Sequence, residues 1–241
     1  YGTYLFDSFE EADFIYDNYL TALFTDLFAE QGLHFVAWNE VGFHHLYAKK
    51  PILSPNDIAG VRFRVSASRA STLLAQILKA DVIPLGFADI VGSLQTGLIE
   101  AGENGATLYA TSGAATEAPH LTLTRHAFGV SLIVSAKNWW DQLSDGQREI
   151  LSAAFPGPDE SRPPARAETL EILRTADQRG FTIHTLSEAQ LATWRAATAG
   201  TAKTLAEEIG GRAPEVYAAI LEGKRAFRAA TPLGPSELPA Q

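Results

Sequence analysis

Apolar positions along the chain follow two rhythms. Between Ser8 and Gly32 they recur every three or four residues, with Ile15, Tyr19, Ala22, Leu23, Leu27 and Phe28 on one stripe, which predicts a long amphipathic helix. Ser8 with Glu11 forms a capping box at its start, and Gly32 takes the favoured position just past its end. Tyr1 to Phe6, ahead of it, reads as the end of a strand. From Leu33 the rhythm shortens to every second residue, predicting strands at Leu33 to Trp38 and Gly42 to Ala48. Ser54-Pro55 opens a short helical turn that stops at Gly60.

The stretch Val61-Arg62-Phe63-Arg64-Val65 alternates an apolar with a cationic face. A helix from about Ser68 to Leu78, a strand at Val82 to Leu85, a helix at Ala88 to Thr96 closed by Gly97, and a strand at Leu98 to Glu103 follow. Strand, helix, strand, helix, strand is a βαβαβ unit, which implies a parallel sheet with right-handed crossovers. The carboxyl ends of its three strands, at Arg64, at Leu85-Gly86-Phe87 and at Glu103-Asn104, then share one sheet edge, where ligands of open α/β sheets collect.

Further on, a small-residue helix is expected over Ala106 to Glu117 and strands at Leu121 to Arg125 and Ala127 to Ser135, the latter bent at Gly129. A short helix carries Trp139 and Trp140, and Ser144 with Gln147 caps the next, to Ala154. Pro156, Pro158, Pro163 and Pro164 should interrupt before a helix resumes at Ala165 to Arg179. A strand at Phe181 to Thr185, a capped helix from Ser187 to about Ile209 and a last helix from Pro214 to Ala229 complete the pattern. The Pro-rich tail from Thr231 is expected to be loose.

Composition narrows the partners more than the fold. Of 241 residues, 46% are hydrophobic and 20% charged, ordinary for a globular chain, and the net charge of −9 argues against nucleic acid or an anionic membrane surface. Cysteine is absent, which removes disulfides, thiol nucleophiles and thiolate metal sites. Methionine is absent too, and no signal peptide is visible, so a processed or trimmed chain is expected.

Arg64 is the first candidate binding residue. An arginine at a strand end can clamp a carboxylate or phosphate through two parallel hydrogen bonds, the plain alternative being a solvated surface arginine. Asn104 falls at a second strand end, or is an ordinary turn residue before Gly105. Phe87 lines the same edge or belongs to the core. Glu103 and Glu100 suggest a carboxylate pair, but three residues apart on a strand they face opposite ways. His44-His45 fails as a metal site on the same ground, and no metal or cofactor is expected. Neither a phosphate-cradling glycine loop nor a nucleophile elbow is present.

Several motifs in order resemble the solute-binding proteins of TRAP transporters (the DctP family). Lys50-Pro51-Ile52, Ser54-Pro55-Asn56-Asp57-Ile58-Ala59-Gly60 and Val61 to Val65 match the family's K-P-I, S-P-x-D-x-x-G and arginine strand. Ala80 to Leu85, Leu94-Gln95-Thr96-Gly97, Thr122 to His126 and Trp140 to Ile150 continue the likeness, which weakens after Phe155. The resemblance implies a periplasmic-binding-protein-like α/β fold of two lobes around a cleft, with hinge strands and a long lobe-spanning helical segment. Lobe I would comprise residues 1–42 and 130–169, lobe II residues 43–129 and 170–230, with 231–241 as tail. It further implies a periplasmic protein that captures a small organic acid and hands it to the membrane subunits of the transporter. Arg64 then falls on the family's carboxylate clamp, Asn104 on a ligand-contacting asparagine and Phe87 on a ligand-packing position, with His44 and Glu103 completing the expected site.

Three departures qualify the likeness. His44 stands where acid-binding members often carry a second arginine, which favours a monocarboxylate and suggests an affinity that varies with pH near neutrality. Glu100-Ala101-Gly102-Glu103 replaces the usual Asp-Gly-x-Glu. The family's first βαβ portion has no counterpart, so lobe I is expected to be incomplete, and Pro163-Pro164 interrupts the usual long helix. An α/β enzyme acting on a small carboxylic acid, or a ligand-sensing domain, are the alternatives.

Overall fold

A computed structural model describes residues 2–231. Tyr1, and all of the expected tail except Thr231, lie outside the described residues. One six-stranded mixed sheet organises the chain, in the order β3-β2-β4-β1-β5-β6. Its strands are β1 (Leu33–Ala48), β2 (Arg62–Val65), β3 (Asp81–Pro84), β4 (Ala101–Gly105), β5 (His120–Ala136) and β6 (Thr182–His184). The helices are α1 (Phe9–Ile15), α2 (Thr21–Glu30), α3 (Arg69–Ile77), α4 (Ile90–Thr96), α5 (Ala106–Thr111) and α6 (Ala114–Glu117). They continue with α7 (Lys137–Asp141), α8 (Asp145–Ala153), α9 (Pro158–Arg174), α10 (Glu188–Ala197), α11 (Thr201–Ile209) and α12 (Ala213–Ala230). Among the described residues, no helix is long and apolar enough to cross a membrane.

The βαβαβ unit is present as expected: β2 pairs in parallel with both β3 and β4. Phe63 and Val65 are fully buried with Ala101, Leu46, Leu74 and Trp194 on one face of the sheet. Tyr47, Tyr109, Ile90, Leu94 and Leu121 build the core on the other.

Several elements differ from the expected pattern, each for a physical reason. Residues 2–6 form a turn instead of a strand end, with Tyr4 at φ +51° and its backbone N–H donated to the His126 carbonyl. The first helix is continuous but carries a π-helical turn at Tyr16–Leu20 between α1 and α2. The two strands expected at Leu33 to Trp38 and Gly42 to Ala48 are one. Gly42 takes φ +83°, open to glycine at no steric cost, and the shifted register beside it lets the strand run on. Likewise β5 joins two expected strands through Arg125, which takes φ +48°. The small-residue helix divides at Gly113, and the helix expected to reach Ile209 divides at Gly200.

Pro163 and Pro164 do not interrupt: α9 runs through both. The carbonyls one turn earlier, of Asp159 and Glu160, lose their helical donors, but both residues are exposed and water can serve them. Ion pairs flank the prolines. Arg162 bonds both oxygens of Asp17, and Arg166 bonds both of Asp13 and both of Glu40 while lying over the Phe9 ring. These contacts tie α9 to α1 and β1.

The Glu40 side chain is only 7% exposed. Arg166→Ala should therefore lower stability by about 3 kcal/mol, because it leaves a buried carboxylate without its cation. Arg174→Ala, which breaks an exposed pair with Glu171, should change stability by under ~0.5 kcal/mol. Urea denaturation of both variants checks the contrast, and equal losses would refute it.

Candidate functional site

Alternation along β2 and β4 divides the expected site residues between two faces. Phe63 stands beside Ala101 in the parallel pairing, and both point into the core under α3. Arg64 therefore shares the opposite face with Gly102 and Asn104, while Glu103 points to the α3 side. His44 pairs with Gly105 and Leu46 with Glu103, so His44 joins Glu103. Phe87 begins the turn after β3 and is 49% exposed at the sheet edge. The structure thus sets Arg64 and Asn104 on one face, starts the turn that carries Phe87 just after Leu85, whose carbonyl Arg64 bonds, and places His44 and Glu103 on the opposite face.

Arg64 is only 7% exposed. Its Nε donates to the Leu85 carbonyl at 3.1 Å, and among the described residues no carboxylate forms an ion pair with it. That is unusual for so buried a guanidinium, which normally sits beside an anion. Asn104 Oδ1 accepts the Gly105 backbone N–H at 3.0 Å, which leaves its Nδ2 as a donor.

Behind this face lies a sealed polar line. His126 Nε2 donates to Glu103 Oε2 at 2.6 Å, and His126 Nδ1 shares a 2.8 Å bond with the Thr124 hydroxyl. Burial alone would raise the Glu103 carboxyl, but the bond and charge of His126, the charge of His44 and a bond from Ser71 hold it at about 2. Hydroxyl, imidazole and carboxylate stand in the order of an acid–base relay, yet Thr124 is fully buried and offers no approach to a substrate. The pattern of the sequence assigns no site role to His126, Thr124 or Ser71. The Thr-x-His spacing was the available signal, since it puts two polar side chains on one face of a strand.

Burial lowers His44 to about 4, with Glu103 opposing the shift and His126 and Arg64 adding to it. His44 is therefore neutral near pH 7, and the pH-dependent affinity expected there has no titrating group at this position. His45, on the Arg64 side, is lowered well below its ordinary value by burial, and its Nδ1 accepts the Arg125 backbone N–H.

Two cavities lie elsewhere. One of about 360 Å³ sits between α1, β1 and the start of α9, where Arg162 is already paired with Asp13 and Asp17. Another, of about 410 Å³, is an apolar space under α11 and α12 whose Arg212 is bound to Glu30 and Glu215. Neither touches Arg64, and among the described residues neither is lined by an unpaired buried charge.

The family described as "Bacterial extracellular solute-binding protein, family 7" (DctP) matches residues 3–208. The C4-dicarboxylate-binding periplasmic protein DctP of Rhodobacter capsulatus is 24% identical over 220 residues, covering 90% of this chain and 65% of that protein. The periplasmic ectoine-binding protein of the TeaABC TRAP transporter of Halomonas elongata superposes with a TM-score of 0.84 at 21% identity, over 93% of this chain and 74% of that one. A TRAP periplasmic solute-binding protein of Chromohalobacter salexigens with bound D-glucuronate gives 0.79 at 23% identity, over 93% and 73%. The fold is accordingly that of the two-lobe α/β binding proteins. The chain spans about half the length of the first curated relatives it matches.

The sealed cluster makes stability sensitive to acid. His44 is lowered from 6.5 to about 4, so the unfolded chain takes up its proton first and stability falls as pH drops through that interval. Glu103 is lowered from 4.5 to about 2, so its contribution is full above 4.5 and is lost as pH falls towards 2. Urea midpoints should decline steadily from pH 7 to 3, and Glu103→Gln should flatten the lower part of that decline. A midpoint unchanged between pH 7 and 4.5 would count against the buried neutral His44.

Proposed function

We propose, starting from the fact that this chain belongs to the bacterial extracellular solute-binding proteins of family 7, that it captures a small organic acid at Arg64. The acid would be held outside the cytoplasm, in the periplasm, for delivery to the membrane subunits of a TRAP-type transporter. One observation carries the reading: Arg64 is a buried cation at a strand end with no carboxylate beside it among the described residues. A ligand carboxylate would supply the missing anion, and its charge-assisted hydrogen bonds would contribute on the order of 1.5–3 kcal/mol.

The surroundings favour a ligand with one carboxylate and a polar body. His44 is neutral at pH 7, so it adds no second cation for a second acid group. The Asn104 amide can bond a hydroxyl or carbonyl, and the exposed ring of Phe87 can cover an apolar ligand face. A sugar acid such as D-glucuronate, the ligand of one structural neighbour, has this make-up. On this reading Glu103 contributes by holding β4 in place and His44 by packing behind the site.

The lobe division is proposed on the same footing. Residues to Gly42 and 130–169 would form one lobe, and 43–129 with 170–230 the other. Gly42 pairs with Gly129 where the two long strands cross this boundary, and the register shifts on either side of Gly42. A left-handed glycine inside a bulge is a place where strands can flex, which suits hinge closure over a ligand.

Arg64→Ala should weaken binding of the preferred acid roughly 10- to 100-fold while the protein stays folded, because no partner charge is orphaned by the change. Calorimetric titration, after a thermal-shift screen of organic acids, reads the effect. Affinity equal to wild type would sink the clamp. The wild-type affinity should also be flat from pH 5.5 to 8.

A further inference from the structure

The departure at Glu100-Ala101-Gly102-Glu103 has a counterpart in the fold. Ala101 is fully buried opposite Phe63, while Gly102 lies under an aromatic ring. Its register partner on β1 is Tyr47, and a Cβ on Gly102 would collide with the hydroxyl oxygen and Cζ of that residue. The phenol therefore reaches across β4. Since Phe63 stands beside Ala101, Arg64 stands beside Gly102 on the same face, so Tyr47, Gly102 and Arg64 form one row over three strands. The absent side chain of Gly102 is what lets the phenol occupy the middle of that row.

Tyr47 is 1% exposed, and its hydroxyl has no hydrogen-bond partner among the described residues. A buried tyrosine usually finds one, and an unpaired hydroxyl is unfavourable. Burial pushes the phenol upward, with Arg64 opposing and Glu103 adding, so it keeps its proton to donate. His45 lies on the same face of β1 but accepts the Arg125 N–H, and Tyr109, stacked on Tyr47, donates to the Ala118 carbonyl. Tyr47 is the polar group of this row left with a proton and nothing to receive it.

We propose that Tyr47 is a further ligand-binding residue of the Arg64 site: its hydroxyl donates to an oxygen of the acid that Arg64 holds, and Gly102 is the permissive position that lets it reach. The inference rests on the reading of carboxylate capture above. The guanidinium takes carboxylate oxygens in its plane, and the phenol adds one directed donor from the side of β1. Because the hydroxyl is closed to solvent, the proposed contact requires the groups covering it to move with the incoming ligand. The ligand class that gains is an anion with an acceptor oxygen beside its carboxylate carbon, as in a hydroxy or sugar acid.

Tyr47→Phe tests this, since it keeps the ring and its stack on Tyr109 and deletes only the oxygen. Wild type, Y47F and R64A are titrated calorimetrically with D-glucuronate, D-galacturonate, succinate and ectoine, and their unliganded melting temperatures are recorded. Y47F should melt at or above the wild-type temperature, because an unpaired buried hydroxyl is gone, and should bind the acid that wild type binds roughly tenfold more weakly. Gly102→Ala, which displaces the phenol, should weaken binding at least as much. If Y47F binds like wild type while R64A does not bind, the role of Tyr47 is overturned and capture by Arg64 stands. If wild type binds none of the four, both readings fall. Parallel losses of stability and affinity in Y47F would overturn the direct contact in favour of packing alone.

Discussion

The hydrogen bond between His126 and Glu103 is the constraint on which the rest of this sheet depends. It joins β5 to β4 across the intervening β1, in a place closed to solvent. A carboxylate there is tolerable only if its lone pairs are met, and hydrogen bonds from His126 and Ser71 meet them. Once Glu103 is anchored to the α3 side, its neighbours Gly102 and Asn104 have no choice but to face the other way. The orientation of the proposed binding face therefore follows from a polar contact on the reverse of the sheet. That coupling is also a specificity device for register, because a one-residue slip of β4 would bury Asn104 against His126 and turn Glu103 towards Arg64.

A second regularity concerns the other charges. Arg162, Arg166, Arg69, Arg195 and Arg212 each bond one or more carboxylates, and Arg62 pairs with Glu100. Acidic residues outnumber basic ones in this chain, 28 to 19, so anions to pair with Arg64 are not scarce. Glu103 lies on the neighbouring strand but faces away. Among the described residues, the fold keeps a surplus of carboxylates off buried Arg64 at the sheet edge, at an electrostatic cost that a bound anion would offset.

Much of this is legible in the sequence alone. The βαβαβ unit could be read because each element is short and bounded by its own signal: Ser68 at a helix start, Gly97 at a helix end, alternation in Val61 to Val65. Arg64 and Asn104 could be assigned to one edge because a parallel crossover admits no other arrangement. The long strands were not legible as single elements. Gly42 and Arg125 each break the alternation by one residue, and a break looks the same in sequence whether the strand ends or bulges. The helix through Pro163-Pro164 was hidden for a different reason. Its support comes from Asp13, Asp17 and Glu40, far away in sequence, and local propensity contains no trace of them. The partition of His44 and Glu103 from Arg64 follows from alternation once the β1–β4 register is known, and register is set by tertiary packing.

The substitution pattern around β4 can then be understood as one adjustment instead of two. A residue with a side chain at position 102 would collide with the Tyr47 phenol, and a glycine at 101 would leave a gap in the core beside Phe63. Placing alanine at 101 and glycine at 102 fills the core and opens the front at the same time. The opened space is taken by Tyr47 from the next strand, whose ring restores the packing that glycine removes and whose hydroxyl brings a donor that no aliphatic side chain at 102 could supply. The shape of the sheet beside Arg64 is in this way set by a pair of residues on two strands, since a side chain at 102 and the Tyr47 phenol compete for the same space.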